Sequence, residues 1–417
     1  MTNSSKALCA KGSSSGISFT ALDDENVCPD ENSSPAPNVD GCQRTSPSGA
    51  RTRLRAKRRL SSSLDADKIV RDTDVETNRG LIHGIDPSTV LVASPLFKGK
   101  KRWSVGTETE NHKRESYCEK LTSVRGHKFC PSDNGIGYAC KKGLKPVSPN
   151  QDSFLIIRVE GGLSVYGVFD GHGRVGHDVS NFVKDQIPRL LFDNPAFTQC
   201  TNIGQALTDA FTRTQELLEA ETRSGRLDAA ASGTTATVVV QLQSKLWVAH
   251  VGDSRTILFS RSQPDLVVAL TEDHKPNLPL ERMRIEQSGG VVIKPPADVN
   301  HRVYVRNQKF PGLAMSRALG DLVGYYGAGI SCIPEVNCVN LADYPGMDSM
   351  AVCSDGVWEF ITDSECARLL VEVPQGQEMV AAEALCKESW DRWMREESGY
   401  IVDDITAVVV NICNSKV

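Results

Sequence analysis

The sequence contains no apolar stretch approaching the roughly 18 residues that a membrane-spanning helix requires. Its first residues, Met1–Lys6, lack the apolar core of a secretory signal, and Thr2 stands where N-myristoylation requires glycine. The net charge of -5 over 417 residues gives no overall signal for nucleic acid or anionic membranes. We therefore expect a soluble protein of the cytoplasm, the nucleus or both, with no membrane span and no required nucleic-acid partner.

Paired cysteines are missing as well. The 13 cysteines run from Cys9 to Cys413 without a Cys-x-x-Cys spacing. An odd number of scattered cysteines fits reduced thiols in an intracellular compartment and provides no zinc-ligand pattern.

Residues 1–115 differ in composition from the rest of the chain. They are rich in serine and proline and offer few apolar residues to bury, which predicts a disordered tail before a folded domain at 116–417. Arg51–Arg59 holds six basic residues in nine. It is either a solvated basic arm or a segment for nuclear import or phosphate binding.

From about Gly137 the sequence shows regular strand-like and helical patterns, which come in blocks. The strand-like runs are Phe154–Val159, Ser164–Phe169, Thr235–Leu242, Leu246–Val251, Thr256–Ser260, Leu266–Leu270, Met350–Cys353 and Ile405–Ile412. The helical patterns are His177–Leu191, Ile203–Arg223, Cys366–Val373 after the capping-box sequence Thr362–Glu365, and Gln377–Glu397. Because strands and helices come in blocks, we predict an α+β fold with mainly antiparallel sheets flanked by helices.

Gly171, Gly173 and Gly176 match the spacing of a dinucleotide-binding fingerprint. That motif requires a second parallel strand with an acidic residue about 20 residues further on. Here a second helical block follows instead, and Asp170 would lie beside the pyrophosphate and repel it. The dinucleotide interpretation therefore fits poorly.

Aspartates stand at several predicted strand ends or turns, and many of them lie beside glycine. These residues are Asp152, Asp170, Asp253, Asp321, Asp355 and Asp403. Turn capping explains any one of them. A whole set of carboxylates brought together without arginines would repel each other unless cations neutralised the charge. All-oxygen ligands favour Mg²⁺ or Mn²⁺ over zinc, and His172 could transfer a proton near neutral pH.

A series of short motifs, in order over roughly residues 125–413, resembles the signature blocks of the metal-dependent PP2C (PPM) serine/threonine protein phosphatases. The blocks are Phe169-Asp-Gly-His-Gly173, Ser232-Gly-Thr-Thr-Ala-Thr237, Val251-Gly-Asp-Ser-Arg255, Asp273-His-Lys-Pro276, Ser316-Arg-Ala-Leu-Gly-Asp321, Ser354-Asp-Gly-Val-Trp358 and Asp403-Asp-Ile-Thr406. Gly143-Leu-Lys-Pro146 and Pro149-Asn-Gln-Asp152 resemble the plant and protist branch.

The resemblance implies a PP2C-like β-sandwich of two antiparallel sheets with helices on both outer faces. It also implies a site at one end of the sandwich for two Mg²⁺ or Mn²⁺ ions and a possible third, weaker ion. The roles carried over are as follows: Asp170 bridges the two ions, the Gly171 carbonyl binds one, Asp355 and Asp403 complete the other, Asp152 holds bound waters, and Asp253 helps to bind the third ion. His172 matches the proposed general acid, and Lys145 stands where many members have a phosphate-binding arginine.

The implied reaction is direct attack on phosphoserine or phosphothreonine by a water that two metal ions activate. Two departures from the family pattern matter: Lys145 lacks the bidentate fork of arginine, and Gln151 replaces a second acid found in some relatives. His274–Gly312 is either a substrate-selective flap or an ordinary surface excursion. The expected partners are phosphoprotein substrates, and the expected state is a monomer. The rival hypothesis is a pseudophosphatase scaffold that binds phosphoproteins without catalysis.

Overall fold

The protein is described by a computed structural model over residues 98–414, apart from 110–112, 128–129, 131, 146 and 297. Its strands are β1 (Arg102–Thr107), β2 (Thr122–Gly126), β3 (Ile136–Lys141), β4 (Ser153–Val159), β5 (Leu163–Phe169), β6 (Gly171–His172), β7 (Gly233–Thr234), β8 (Ala236–Leu242), β9 (Lys245–Val251), β10 (Arg255–Phe259), β11 (Val267–Ala269), β12 (Gly290–Ile293), β13 (Arg302–Val305), β14 (Pro311–Leu313), β15 (Leu319–Gly320), β16 (Glu335–Asn340), β17 (Ser349–Cys353) and β18 (Ile405–Asn411). Its α-helices are α1 (Gly176–Asp193), α2 (Pro195–Thr198), α3 (Ile203–Arg223), α4 (Pro279–Gln287), α5 (Leu322–Ala328), α6 (Asp355–Trp358), α7 (Asp363–Glu372) and α8 (Glu378–Glu396).

Two antiparallel sheets form the centre of the fold. The larger has seven strands in the order β16-β9-β8-β5-β4-β1-β2, and the smaller has five in the order β11-β10-β17-β18-β3. In the larger sheet Ser153 of β4 lies opposite Phe169 of β5, and in the smaller sheet Cys353 of β17 lies opposite Ala407 of β18. The sets β12-β13-β14 and β15-β7-β6 are separate small sheets.

The central strands are continuous apolar runs because both faces of each sheet are covered. Val408 and Val410 of β18 share a buried cluster with Phe154 of β4, which fills the space between the two sheets. Ala407 and Val409, on the opposite face of the same strand, pack in a cluster with α7 and α8. This alternation follows from the two-residue period of a strand, which sends neighbouring side chains to opposite faces.

Helices α1 and α3 cover the outer face of the seven-stranded sheet. Their buried apolar positions recur every three or four residues: Val179, Val183, Ile187 and Leu191 in α1, and Ile203, Ala206, Leu207, Ala210, Phe211 and Leu218 in α3. The layers are therefore helix, sheet, sheet and helix, which confirms the predicted α+β sandwich.

Most predicted elements are confirmed to within about three residues at either end. Helix α3 spans the predicted Ile203–Arg223, and Thr362 and Glu365 form the predicted capping box at the start of α7. Residues within the predicted flap form α4, β12 and β13, and they share a small core that includes Ile285 and Val292.

The predicted domain boundary needs a correction. Strand β1 lies within the predicted tail 1–115, yet it pairs with β4, where Val105 lies opposite Ile156 in the space between the sheets. The prediction of a tail ending at residue 115 is therefore wrong at its C-terminal end, because the run around Val105 is too short and polar to stand out. Arg51–Arg59 lies outside the described residues.

Candidate functional site

Two carboxylates of the site come from neighbouring strands of the larger sheet. Asp152 comes immediately before β4 and Asp170 immediately after β5. Because these strands are antiparallel and Ser153 lies opposite Phe169, the beginning of one strand and the end of the other meet at the same edge. The topology therefore brings together two residues that are separated by a hairpin.

The smaller sheet supplies two more carboxylates by the same arrangement. Asp355 follows β17 and Asp403 comes before β18, and Cys353 lies opposite Ala407 in this pair. Ser354 joins the edges of the two sheets, because its Oγ donates a hydrogen bond to Oδ2 of Asp152 at 2.7 Å. The same Oγ accepts a hydrogen bond from the backbone N–H of Thr406 at 3.0 Å.

The carboxylates are close enough to disfavour each other's ionisation. Burial, followed by Asp404, raises the pKa of Asp152 to about 7, and burial, followed by Asp403, raises that of Asp355 to about 7. Burial together with Asp152, Asp355 and Asp403 raises the pKa of Asp170 well above its ordinary value. The cluster therefore holds more negative charge than its surroundings neutralise.

Buried oxygen atoms without a hydrogen-bond partner indicate whether this cluster fits metal ions. Among the described residues, Oδ1 of Asp152, Asp253 and Asp355 is buried and has no hydrogen-bond partner. A buried carboxylate oxygen without a partner is costly, and a divalent cation would both pair with it and neutralise the repulsion. The donor set is composed of oxygen atoms, so the residues fit Mg²⁺ or Mn²⁺.

Close packing explains the glycines after Asp170. A Cβ atom at Gly171 would lie 2.4 Å from the Gly176 carbonyl oxygen and 2.5 Å from that of Gln151. Gly173 has a φ of +86°, and a side chain there would meet the Ala231 carbonyl oxygen at 2.5 Å. Contacts within the protein therefore account for the spacing that resembles a dinucleotide fingerprint.

His172 is held by Asp321, which belongs to the set of aspartates noted in the sequence but was given no role there. Its Nε2 lies 2.6 Å from Oδ2 of Asp321, which is buried. Burial opposes protonation of the ring, but Asp321 outweighs it, and the pKa of His172 is raised. A side chain at Gly233 would meet both members of this pair, at 2.2 Å from Asp321 Oδ2 and 2.8 Å from His172 Nε2.

Two lysines neutralise part of the cluster. Lys145 forms an ion pair with Asp403 and lies 3.9 Å from Oδ2 of Asp404. Burial works against the charged ammonium, yet these two carboxylates raise the pKa of Lys145. Lys275 forms an ion pair of 2.5 Å with Oδ2 of Asp253. Lys145, which the family resemblance predicts to meet the substrate phosphate, therefore lies against a carboxylate of the cluster.

Asp404, which sequence reasoning did not select, holds two loops of the site. Its buried carboxylate accepts hydrogen bonds from the backbone N–H of Gly143 at 2.8 Å and of Gln151 at 2.9 Å. The Gln151 side chain donates to the carbonyl of Gly173 at 2.7 Å. Gln151 therefore connects the loop before Asp152 to the loop after Asp170.

A second group of potential ligands consists of His250, His274 and Glu335, with one nitrogen or oxygen atom of each within 4.8 Å of the others. Nε2 of His250 lies 2.9 Å from the Glu272 carbonyl oxygen and donates to it. Nδ1 of His274 accepts from the Gly252 N–H at 3.1 Å, so the neutral ring carries its proton on Nε2. Because each Nε2 carries a proton, these hydrogen bonds support the turn before Asp253 and disfavour a metal ion.

Solved structures with the same fold include a protein phosphatase and a sex determining protein. The chain aligns with the serine-threonine phosphatase 2C from Toxoplasma gondii with a TM-score of 0.58 and 23% identity, over 66% of this chain and 93% of that one. It aligns with a C. elegans sex determining protein with a TM-score of 0.55 and 20% identity, over 69% of this chain and 66% of that one. At these identities the likeness establishes the fold alone.

Sequence comparison gives the family. Probable protein phosphatase 2C 48 of Oryza sativa subsp. japonica is 34% identical over 302 residues, which cover 66% of this chain and 83% of the relative. Probable protein phosphatase 2C 35 of Arabidopsis thaliana is 30% identical over 303 residues, 65% of this chain and 82% of the relative. The family model for Protein phosphatase 2C matches residues 150–396. The chain belongs to the protein phosphatase 2C family and is a protein phosphatase, as the sequence motifs predict.

These findings also bear on the expected partners. A protein phosphatase acts on phosphoproteins, which confirms the predicted substrate class. No helix in the described part of the chain is long and apolar enough to cross a membrane.

Proposed function

We propose that the protein hydrolyses phosphoserine and phosphothreonine by direct attack of water, with two Mg²⁺ or Mn²⁺ ions bound to the aspartate cluster. The observation that carries the proposal is the convergence of Asp152, Asp170, Asp355 and Asp403 from two sheets, with buried oxygen atoms unpaired and ionisation disfavoured. When bound, the ions would supply a nucleophilic water at neutral pH and offset charge on the phosphoryl oxygens.

Different aspartates would serve as ligands for different ions. Asp170, the Gly171 carbonyl, Asp355 and Asp403 would hold the two ions, and Asp152 would orient water in the site. Asp253 would help to hold a third ion. Lys275 already pairs with Asp253, so an ion there has to compete with an ammonium group, which gives a physical reason for weaker binding.

His172 acts as the general acid. Asp321 faces Nε2 and favours the charged imidazolium, so Nδ1 is left with a proton to donate to the departing serine or threonine oxygen. An alkoxide is a poor leaving group, so an acid that protonates the departing oxygen increases the rate.

Lys145 binds the substrate phosphate as a point charge. Its ammonium lies against Asp403 at the edge of the cluster, so an arriving phosphate would meet a cation beside the carboxylates. An ammonium cannot make the two parallel hydrogen bonds of a guanidinium, and phosphate binding therefore relies on charge more than on geometry.

Hydrolysis of a phosphothreonine peptide, with Mn²⁺ and then with EDTA, tests the proposal. We expect activity that EDTA removes and that Asp170→Asn nearly abolishes, with exposed Asp193→Asn as the matched control. Equal activity in EDTA would contradict metal dependence. A folded wild-type protein that binds the phosphopeptide but never hydrolyses it would instead support the pseudophosphatase scaffold, which no observation described above favours. The monomeric state and the cytoplasmic or nuclear location stay predictions.

A further inference from the structure

Lys120 is a buried lysine that lies behind the metal cluster. It belongs to a short segment before β2 that pairs with the end of β3, since its N–H donates to the Cys140 carbonyl at 3.0 Å. The residue is only 2% exposed. Its ammonium donates to the carbonyl of Asn150 at 3.1 Å and to that of Asp152, and it lies 3.5 Å from Oγ of Ser153.

The loop that Lys120 contacts is fixed at almost every polar backbone atom. The Gln151 N–H donates to Asp404 at 2.9 Å, and the Gln151 carbonyl accepts from Ser180 Oγ at 2.6 Å. The Asp152 N–H donates to Oδ1 of Asn150 at 2.9 Å. The carbonyls of Asn150 and Asp152 complete the set, and both are held by the Lys120 ammonium.

Space-filling alone does not account for a lysine at this position. Methionine has a similar length and would fill the volume without an ammonium to desolvate, whereas burial disfavours the charged form and lowers the pKa of Lys120. A methionine would remove the hydrogen bonds of the ammonium to both carbonyls and leave the Asp152 carbonyl only the long contact from Cys140 Sγ at 3.9 Å. Such a loss is costly for buried acceptors. The ammonium therefore stabilises this loop in one conformation.

We propose that Lys120 is a positioning residue that orients Asp152 toward the metal cluster. The inference rests on the proposed metal-dependent function. Loss of the Lys120 charge and loss of its hydrogen bonds would change the affinity for metal ions in opposite directions. Removing a positive charge near the cluster would by itself strengthen cation binding, whereas releasing the loop would weaken it, and only the second effect is expected from positioning.

The test compares Lys120→Met with Lys184→Met. Lys184 is also buried and lies near enough to Lys120 to lower its pKa, but its ammonium contacts the Thr107 carbonyl and Asp185 instead of the loop before Asp152. Mn²⁺ binding to the full chain is measured by isothermal titration calorimetry. We expect the dissociation constant to rise about 10- to 100-fold in Lys120→Met, the range for loss of a group that orients a metal ligand, and to stay within about twofold in Lys184→Met. The KM for a phosphopeptide at saturating Mn²⁺ should be unchanged in both.

Unchanged or tighter Mn²⁺ binding by folded Lys120→Met would overturn the inference. If that variant does not fold, Lys120→Leu also removes every donor but has a shorter side chain, and wild-type affinity in folded Lys120→Leu would overturn the inference equally. Asp170→Asn distinguishes failure of the proposed metal site from failure of the proposed role of Lys120. If Asp170→Asn also binds Mn²⁺ normally, the proposed metal site fails; if it loses binding while the Lys120 variants keep it, only the positioning role fails.

Discussion

The carboxylate of Asp152 is expected to destabilise the metal-free protein. The residue has no exposed surface, and burial together with Asp404 raises its pKa from 3.8 to about 7. Because the folded pKa lies above the unfolded value, the folded protein keeps a proton that the unfolded chain releases. The free energy of unfolding therefore falls as the pH rises from about 4 to about 7, and the penalty is complete above that range.

The size of the effect follows from the same values. A tenfold difference in proton affinity corresponds to about 1.4 kcal/mol, so moving the pKa of Asp152 from 3.8 to about 7 costs the ionised fold about 4 kcal/mol. Asp152→Asn removes the ionisation and keeps an oxygen atom that can accept from Ser354. At pH 8 in EDTA we expect this variant to be more stable than the wild type by about 2–4 kcal/mol, since relaxation reduces the full penalty.

Urea unfolding in EDTA at pH 4 and pH 8 measures this difference. The gap between Asp152→Asn and the wild type should be small at pH 4 and large at pH 8, and exposed Asp193→Asn should show neither effect. Adding Mn²⁺ should stabilise the wild type more than Asp152→Asn. A variant that is less stable than the wild type at pH 8 without metal would refute the reasoning, because the carboxylate would then contribute stability.

His172→Ala should slow hydrolysis of a phosphothreonine peptide far more than that of p-nitrophenyl phosphate, whose leaving group barely needs a proton; equal losses would remove the general-acid role. Asp321→Asn removes the charge that raises the pKa of His172, so the alkaline limb of the pH–rate profile for the peptide should move to lower pH. Lys145→Ala should raise the KM for the phosphopeptide about tenfold while leaving Mn²⁺ binding equal or tighter, because the ammonium competes for Asp403; an unchanged KM would argue against phosphate binding by Lys145. Deletion of residues 1–97 should preserve activity, whereas deletion of 1–115 removes β1 and should lower the melting temperature or prevent folding. Equal stability of the two truncations would contradict the revised boundary.

The sequence predicts the central strands well because both of their faces are covered. Runs such as Ile405–Asn411 are buried at every position and read as unbroken apolar segments. Of the missed strands, β1 and β3 are largely buried, but polar residues and glycine interrupt their apolar runs. Strand β2 is exposed or half-buried throughout, as are five of the six residues of β16. Edge strands of this kind carry little apolar signal, and only pairing with a neighbour reveals them.

Asp152, Asp170, Asp355 and Asp403 each stand beside a strand that the sequence predicts, and the structure brings them together. Asp321 lies in a left-handed conformation with a φ of 45°, after a two-residue strand, and nothing local indicates that it faces His172. Asp404 is adjacent to a predicted ligand, so its separate role in binding backbone N–H groups depends on which way each side chain points. These roles are tertiary, since the partners lie more than 100 residues away in the sequence.

The order of strands in the smaller sheet has a consequence for how the protein is made. Strand β3 is fully buried and pairs in that sheet with β18, which is synthesised about 260 residues later. At about 5–20 residues per second, an apolar strand waits roughly 13–50 s for its neighbour, a period in which chaperones can bind it. Asp403, a proposed metal ligand, comes just before the same late strand, so we expect no phosphatase activity from the nascent chain until this strand has been made.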